Sequence, residues 1–148
     1  MKSKTVIVTG ASGNLGQVVI KKFLAEGYNV VGTVIPNDPA ALTINDVKFR
    51  KMIVDLSDET GTEKFVHQVT AEYGSIEAAV LTVGGFAMGK IADTKASDIN
   101  KQYRLNFETA YHVARPCFLQ MMKQGNGRIF LIGSKPGLSA RDGKGMVA

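Results

Sequence analysis

The sequence predicts an α/β domain built on a doubly wound parallel sheet. Short β-branched runs alternate with stretches of helical apolar spacing along the whole chain. Strands separated by helical crossovers pair in parallel through right-handed connections. The 16 glycines exceed ordinary usage, and the first cluster falls where a strand turns into a helix. At 148 residues the chain suits one domain over 1–148.

The elements follow in order. Lys4–Thr9 is a β-branched run ending at Gly10 and reads as a buried strand. Gln17–Glu26 sets Val18, Val19, Ile20, Phe23 and Leu24 among Lys21, Lys22 and Glu26, an amphipathic helix that Gly27 stops as its C′ residue. Asn29–Ile35 is a second strand, closed by Pro36-Asn37-Asp38-Pro39. Val47–Val54 is a third. Phe65, Val66, Val69 and Tyr73 recur at helical spacing before Gly74, and Glu77–Val83 is a fourth strand running into Gly84-Gly85.

Ser97–Gln124 reads as one long helix with Ser97 as N-cap, Gly125 as stop and a kink at Pro116. Its stripe is Ile99, Tyr103, Phe107, Ala110, Ala114, Cys117 and Met121. Arg128–Gly133 is a fifth strand, and Ser134–Ala148, rich in Gly, Ser and charge, reads as a loop.

Composition narrows the function. At 45% hydrophobic and 21% charged residues the chain is not a disordered tail. No apolar run reaches the roughly 18 residues of a membrane span, and Met1-Lys2-Ser3-Lys4 leads into a strand without a cleavage site, which speaks against a signal peptide. Cys117 is the only cysteine, so no internal disulfide forms, and a reducing cytoplasm fits. The net charge of +5 suits an anionic cofactor. No basic cluster is interleaved with aromatics, so nucleic acid is not expected. His67 and His112 stand on helices away from partners at metal spacing, which predicts surface or boundary residues and no metal site.

Thr9-Gly10-Ala11-Ser12-Gly13-Asn14-Leu15-Gly16 lies after the first strand and opens the first helix. Glycine there lets the backbone turn sharply and approach a pyrophosphate, to which the helix N-terminus presents free N–H groups and a positive dipole end. The candidate dinucleotide-binding residues are Gly10, Ser12, Gly13, Asn14, Leu15 and Gly16.

This segment resembles the short-chain dehydrogenase/reductase family, with its NAD(P)-binding Rossmann fold and its Thr-Gly-x-x-x-Gly-x-Gly motif. The glycines at 10, 13 and 16 set the middle one a residue early, a spacing more like the epimerase-type and regulatory branches or dihydropteridine reductase. Further landmarks follow in the family's order. Val54-Asp55-Leu56 resembles the pair after the third strand, which implies that Asp55 accepts from the adenine amino group beside Leu56. Thr82-Val83-Gly84-Gly85 stands in the place of the family's Asn-Asn-Ala-Gly, with Val83, Gly84 and Gly85 toward the cofactor, and its Val-Gly-Gly form is again similar to dihydropteridine reductase. Asn106 occupies the position of the active-site Asn, whose backbone carbonyl holds a proton-relay water. Gly127–Ser134 matches the strand ending in the catalytic Ser, so the resemblance implies that the Ser134 hydroxyl polarises a substrate carbonyl.

The family's Tyr-x-x-x-Lys pair is not found. Tyr28, Tyr73, Tyr103 and Tyr111 are followed four residues on by Gly32, Glu77, Phe107 and Arg115, and none lies after Ser134. In the family that Tyr is the general acid and the Lys lowers its pKa. Gly145-Met146-Val147-Ala148 looks like the run-in to such a Tyr, which implies the N-terminal part of a longer reductase, inactive alone, with the C-terminal part of the fold missing. The resemblance implies hydride transfer between a nicotinamide and a small carbonyl or alcohol. A non-catalytic dinucleotide-binding or sensing module is the alternative.

Cofactor choice between NAD and NADP stays open. The second strand ends Thr33-Val34-Ile35-Pro36 without acid or base; Asp38 could reach the ribose if the loop folds back, but beside Pro39 it reads rather as a turn residue. Lys135 and Arg141 read as solvated loop charges. Two further expectations concern assembly: Arg128–Gly133 forms an apolar edge that invites pairing, and the long helix keeps an uncovered flank that includes some of Phe118, Leu119 and Met122, so the chain self-associates and the complete protein is a homo-oligomer.

Overall fold

The computed structural model describes residues 4–40 and 42–138. The chain runs β1 (Thr5–Thr9), α1 (Asn14–Ala25), β2 (Asn29–Val34), β3 (Phe49–Ile53), α2 (Glu59–Tyr73), β4 (Ala78–Leu81), α3 (Ala96–Tyr103), a π-helical segment (Arg104–Glu108), α4 (Thr109–Gln124) and β5 (Arg128–Leu131). The five strands form one parallel sheet in the order β3-β2-β1-β4-β5. The chain therefore builds outward from β1 to β3, then returns to the other side of β1 for β4. The crevice between β1 and β4 is the switch point where open α/β sheets take ligands.

Alternation along the strands sends side chains to two cores. Ile7, Val31 and Ala79 meet α2 through Phe65, Val66 and Val69, and α4 through Val113, Cys117 and Met121. Val6, Val8, Val30 and Val80 meet Ile20 of α1 on the opposite face, with Phe49 at its margin. Covered on both faces, β1 is buried throughout, which is why its sequence is a continuous apolar and β-branched run. Gly32 serves this packing, since a Cβ there would stand 2.7 Å from the Ala11 Cβ and 2.8 Å from the Phe49 ring.

The doubly wound sheet and its five strands stand as the sequence predicts, with ends shifted by a few residues. The second helix begins at Glu59, before its apolar spacing starts, because its first turn is polar. Gly27 and Gly125 end their helices with φ of +82° and +78°. Two local expectations are corrected, the helix start and the apolar stripe. The long helix starts at Ala96, not at a Ser97 cap: the Asp98 carboxylate accepts from Lys95 N–H at 2.9 Å, and Ser97 lies in the first turn. Pro116 lies inside α4, and the π segment Arg104–Glu108 stands upstream of it.

The predicted stripe is split. Cys117 and Met121 are buried and Ala110 and Ala114 half-buried, but Ile99, Tyr103 and Phe107 are about half exposed. Adding one residue to a helical turn rotates the two sides by about 100° relative to a continuous α stripe, so spacing drawn straight across Arg104–Glu108 joins two different faces. Outside, the Tyr103 and Phe107 rings stack 5.1 Å apart, and those of Phe107 and Tyr111 6.2 Å apart. After β5, Lys135–Leu138 forms a short 3-10 turn within the segment read as loop; Arg141 and Gly145–Ala148 lie outside the described residues.

Candidate functional site

At the C-terminal ends of the strands lies a cavity of about 980 Å³, lined by the glycine loop, the ends of β2, β3 and β4, and one side of α3 and the π segment. Every dinucleotide-binding residue expected from the sequence except Gly85 lines it: Gly10, Ser12, Gly13, Asn14, Leu15, Gly16, Asp55, Leu56, Val83 and Gly84.

The three glycines do different work. Gly10 takes φ +65°, the left-handed conformation a side chain resists. Gly13 ends the turn, its N–H donating to Gly10 O at 3.0 Å, and caps α1 without a side chain. The first-turn N–H groups of α1 thus keep no side-chain acceptor, the arrangement that receives an anion. At Gly16 a Cβ would stand 2.1 Å from Gly10 O, so the position is closed by the chain's own backbone before any ligand arrives.

The next wall is built by side chains that sequence reading passed over. The buried Thr9 hydroxyl oxygen accepts from Thr82 N–H at 3.0 Å and Val83 N–H at 3.4 Å, while Thr82 Oγ1 donates to Thr9 O at 2.6 Å. This latch ties the ends of β1 and β4 where the family's asparagines are absent. A β-branched hydroxyl residue ending each of two adjacent strands is its signal. Gly85 N–H donates to Asn106 Oδ1 at 2.8 Å, and a Cβ at Gly84 would lie 2.8 Å from that oxygen, so the two glycines let Asn106 close on the loop. Asn106 Nδ2 donates to Gln102 O at 3.0 Å, and Thr109 Oγ1 to Leu105 O at 2.7 Å, side-chain bonds that bracket the π segment.

Asp55 stands at the cavity wall with its Oδ1 accepting from Ser57 N–H at 2.9 Å and Ser57 Oγ at 2.7 Å. The Ser57 hydroxyl and amide hold its carboxyl below the usual range. His112 has a role the sequence did not reveal: its Nδ1–H donates to the Leu56 carbonyl at 2.9 Å, fixing the segment after β3 to α4. It is half-buried, as a boundary residue should be, and His67 is exposed. Ser134 lies past β5, exposed, and is not among the residues lining the cavity, nor is Asn106. Asp38 does not merely make a turn. It lines the cavity and accepts a hydrogen bond from Ser12.

Among the described residues no group of three His, Cys, Asp or Glu is placed to hold a metal, and no helix is long and apolar enough to cross a membrane. Burial pushes the Cys117 thiol up to about 12.

Together the 3-2-1-4-5 sheet, the glycine turn at its switch point and the cavity above it define a Rossmann-type domain. The short chain dehydrogenase family model matches residues 4–146, and the chain belongs to that family. It is 25% identical over 146 residues to the 3-oxoacyl-(acyl-carrier-protein) reductase FabG of Escherichia coli, an alignment covering 97% of this chain and 59% of the relative. The structure of ElxO with NADP bound superposes with TM-score 0.86 at 24% identity, covering 93% of this chain and 58% of that one. A short chain dehydrogenase of Leptospira borgpetersenii with bound NAD+ superposes at 0.81 and 17% identity, covering 95% and 55%. The chain thus spans a little over half the length of these proteins.

Proposed function

We propose that this chain supplies the dinucleotide-binding part of an NAD(P)-dependent oxidoreductase acting on a small carbonyl or alcohol. One observation carries the reading: the glycine turn, the Asp55-Leu56 pair and Val83-Gly84, far apart in sequence, line one cavity at the sheet's switch point. The residues fit the cofactor, because Gly10, Gly13 and Gly16 line the cavity at the N-terminus of α1, which has no side-chain cap and can receive a pyrophosphate. When bound, NAD or NADP supplies or accepts the hydride.

The chain's own residues orient it. First-turn amides of α1 take the phosphates, Asp55 takes the adenine amino group, and the Thr9–Thr82 latch with Asn106 holds the wall on the nicotinamide side. Asn106 sits within the π segment, where the ordinary helix ladder is interrupted beside the carbonyl that the family uses for a proton-relay water. The Ser134 hydroxyl is assigned to the substrate carbonyl. We place the protein in the cytoplasm, where a lone, buried Cys117 stays reduced. We also read the complete protein as a homo-oligomer, as the family resemblance implies, and expect residues 1–148 alone to self-associate through Phe118, Met122 and Leu131, which present 53%, 66% and 67% of their surface to solvent.

Calorimetry tests the reading. The polypeptide 1–148 should bind about one dinucleotide per chain yet not oxidise NADH or NADPH with carbonyl substrates, since no Tyr in it is followed four residues on by Lys, the pair from which the family draws a general acid worth about 10²–10⁴-fold in rate. A folded chain that binds neither dinucleotide overturns the assignment. Robust turnover would make another residue the acid.

A further inference from the structure

The sheet lets go of its third strand just before the cavity. Val54 N–H donates to Val34 O at 2.9 Å, and beyond it residues 55–58 leave β3 as a turn in which Asp58 N–H donates to Asp55 O at 3.1 Å. Asp55 and Leu56, both lining the cavity, therefore stand outside the strand ladder. Both Ser57 bonds fall on Asp55 Oδ1 and leave Oδ2 to take a further donor. These bonds are local and travel with the turn. The hydrogen bond that ties the turn to another element comes from His112, whose Nδ1–H donates to Leu56 O at 2.9 Å across 56 residues of sequence. His112 does not line the cavity, but Thr109, about one helical turn before it in α4, does. The bond thus sits at the seam between two walls of the cavity, the turn after β3 and the helix that follows the π segment.

We propose that His112 is a positioning residue for the adenine: through the Leu56 carbonyl it holds Asp55 where the base's amino group can reach the carboxylate. The inference rests on the dinucleotide reading above. A hydrogen bond weakens steeply as its angle closes, so a carboxylate on a turn that rocks loses selectivity before it loses the ligand. The buried Leu56 side chain sinks the turn into the core with Val54, Phe65 and Val113, which resists outward movement. Apolar packing carries no direction, and the His112 bond sets the rotation of the turn about that anchor. His112 is itself half-buried, its ring packed edge-to-face against Tyr111 with centroids 6.4 Å apart. That contact limits the orientations from which the ring can donate.

The test is calorimetric titration of the chain with NAD+ and with nicotinamide hypoxanthine dinucleotide, in which a carbonyl oxygen replaces the amino group and sets an acceptor against Asp55. Wild type is compared with His112→Leu, which removes the donor, and with His112→Asn, whose amide nitrogen stands where Nδ1 stood. His112→Gln, which places its nitrogen at the other ring position, is the second loss variant should His112→Leu unfold the chain. Circular dichroism checks each fold. Wild type should favour NAD+ by about fivefold or more. His112→Leu and His112→Gln should bring the two affinities within about twofold, mostly by weakening NAD+, while His112→Asn keeps about half or more of the wild-type preference. A merely structural role would weaken both dinucleotides together and leave their ratio unmoved. That outcome, or a ratio lost equally in His112→Asn, overturns the proposal and leaves the dinucleotide reading intact. A wild type that binds both dinucleotides without preference overturns the proposal together with the Asp55 assignment. A folded chain that takes up neither overturns the proposal together with the whole reading beneath it.

Discussion

β1 and β5 are parallel strands of one sheet, both apolar in sequence, and they lead opposite lives. β1 lies between β2 and β4 with helices on both faces, and every residue from Thr5 to Thr9 is buried. β5 stands at the edge, with Phe130 and Leu131 exposed. An apolar run therefore marks a strand in both places but marks the core in only one. The functional cavity opens beside β1, where backbone and side chains are held by many neighbours, and a ligand site needs that rigidity.

Substitutions break the comparison from the strong side first. Gly16→Val drives a side chain into the Gly10 carbonyl, a backbone atom that has nowhere to go. We expect a loss of about 3 kcal/mol or more in denaturant unfolding, with dinucleotide binding abolished. A near-wild-type midpoint would show that the turn rearranges freely.

A matched pair sharpens the contrast between the strands. Ile7→Ala removes a fully buried side chain of β1 and should cost about 2–5 kcal/mol. Leu131→Ala at the 67% exposed edge should stay within about 0.5 kcal/mol while reducing self-association in light scattering. Equal costs would mean that β5 is covered as β1 is.

Within the site, Thr9→Val keeps shape and β-propensity but strips the acceptor from Thr82 and Val83 N–H. The expected loss is about 1–3 kcal/mol, with Thr9→Ser recovering most of it. The smallest effect is a pH dependence. Asp55 has a lowered folded-state pKa, so its hydrogen bonds to Ser57 contribute stability above the unfolded carboxylate pKa, lost as pH falls through the folded value. The melting difference between wild type and Asp55→Asn should accordingly be present at neutral pH and fade progressively as pH falls below about 4.

How much was legible divides along the same line. The sheet, its strand count and the glycine cradle could be read because glycine, β-branched runs and strand-to-helix order carry local constraints. The Thr9–Thr82 latch, the His112 bond to Leu56 and the Ser12–Asp38 contact join residues that only the folded chain brings together. Asp38 beside Pro39 looked like turn chemistry, and it does bond Ala40 as a turn residue does, but its second oxygen faces the glycine loop. The helical stripe failed for a different reason: one π segment rotates the faces, and neither Asn106 nor Thr109 announces in sequence that its side chain bonds back to the preceding turn. The fifth strand was legible over Arg128–Gly133 although β5 ends at Leu131, short of Ser134, and its exposure depends on neighbours that spacing does not encode.

The central claim is that the cavity beside β1, and not the exposed aromatic and β5 side, receives a dinucleotide. Hydrogen–deuterium exchange of the chain with and without saturating NAD+ tests it directly, because exchange reports local protection segment by segment. The account predicts added protection at 10–17, 33–38 and 54–57, with 103–111 and 128–132 unchanged apart from the Asn106 contact to the site. Protection confined to the aromatic face and β5, or a glycine loop that exchanges equally with and without NAD+, would contradict it.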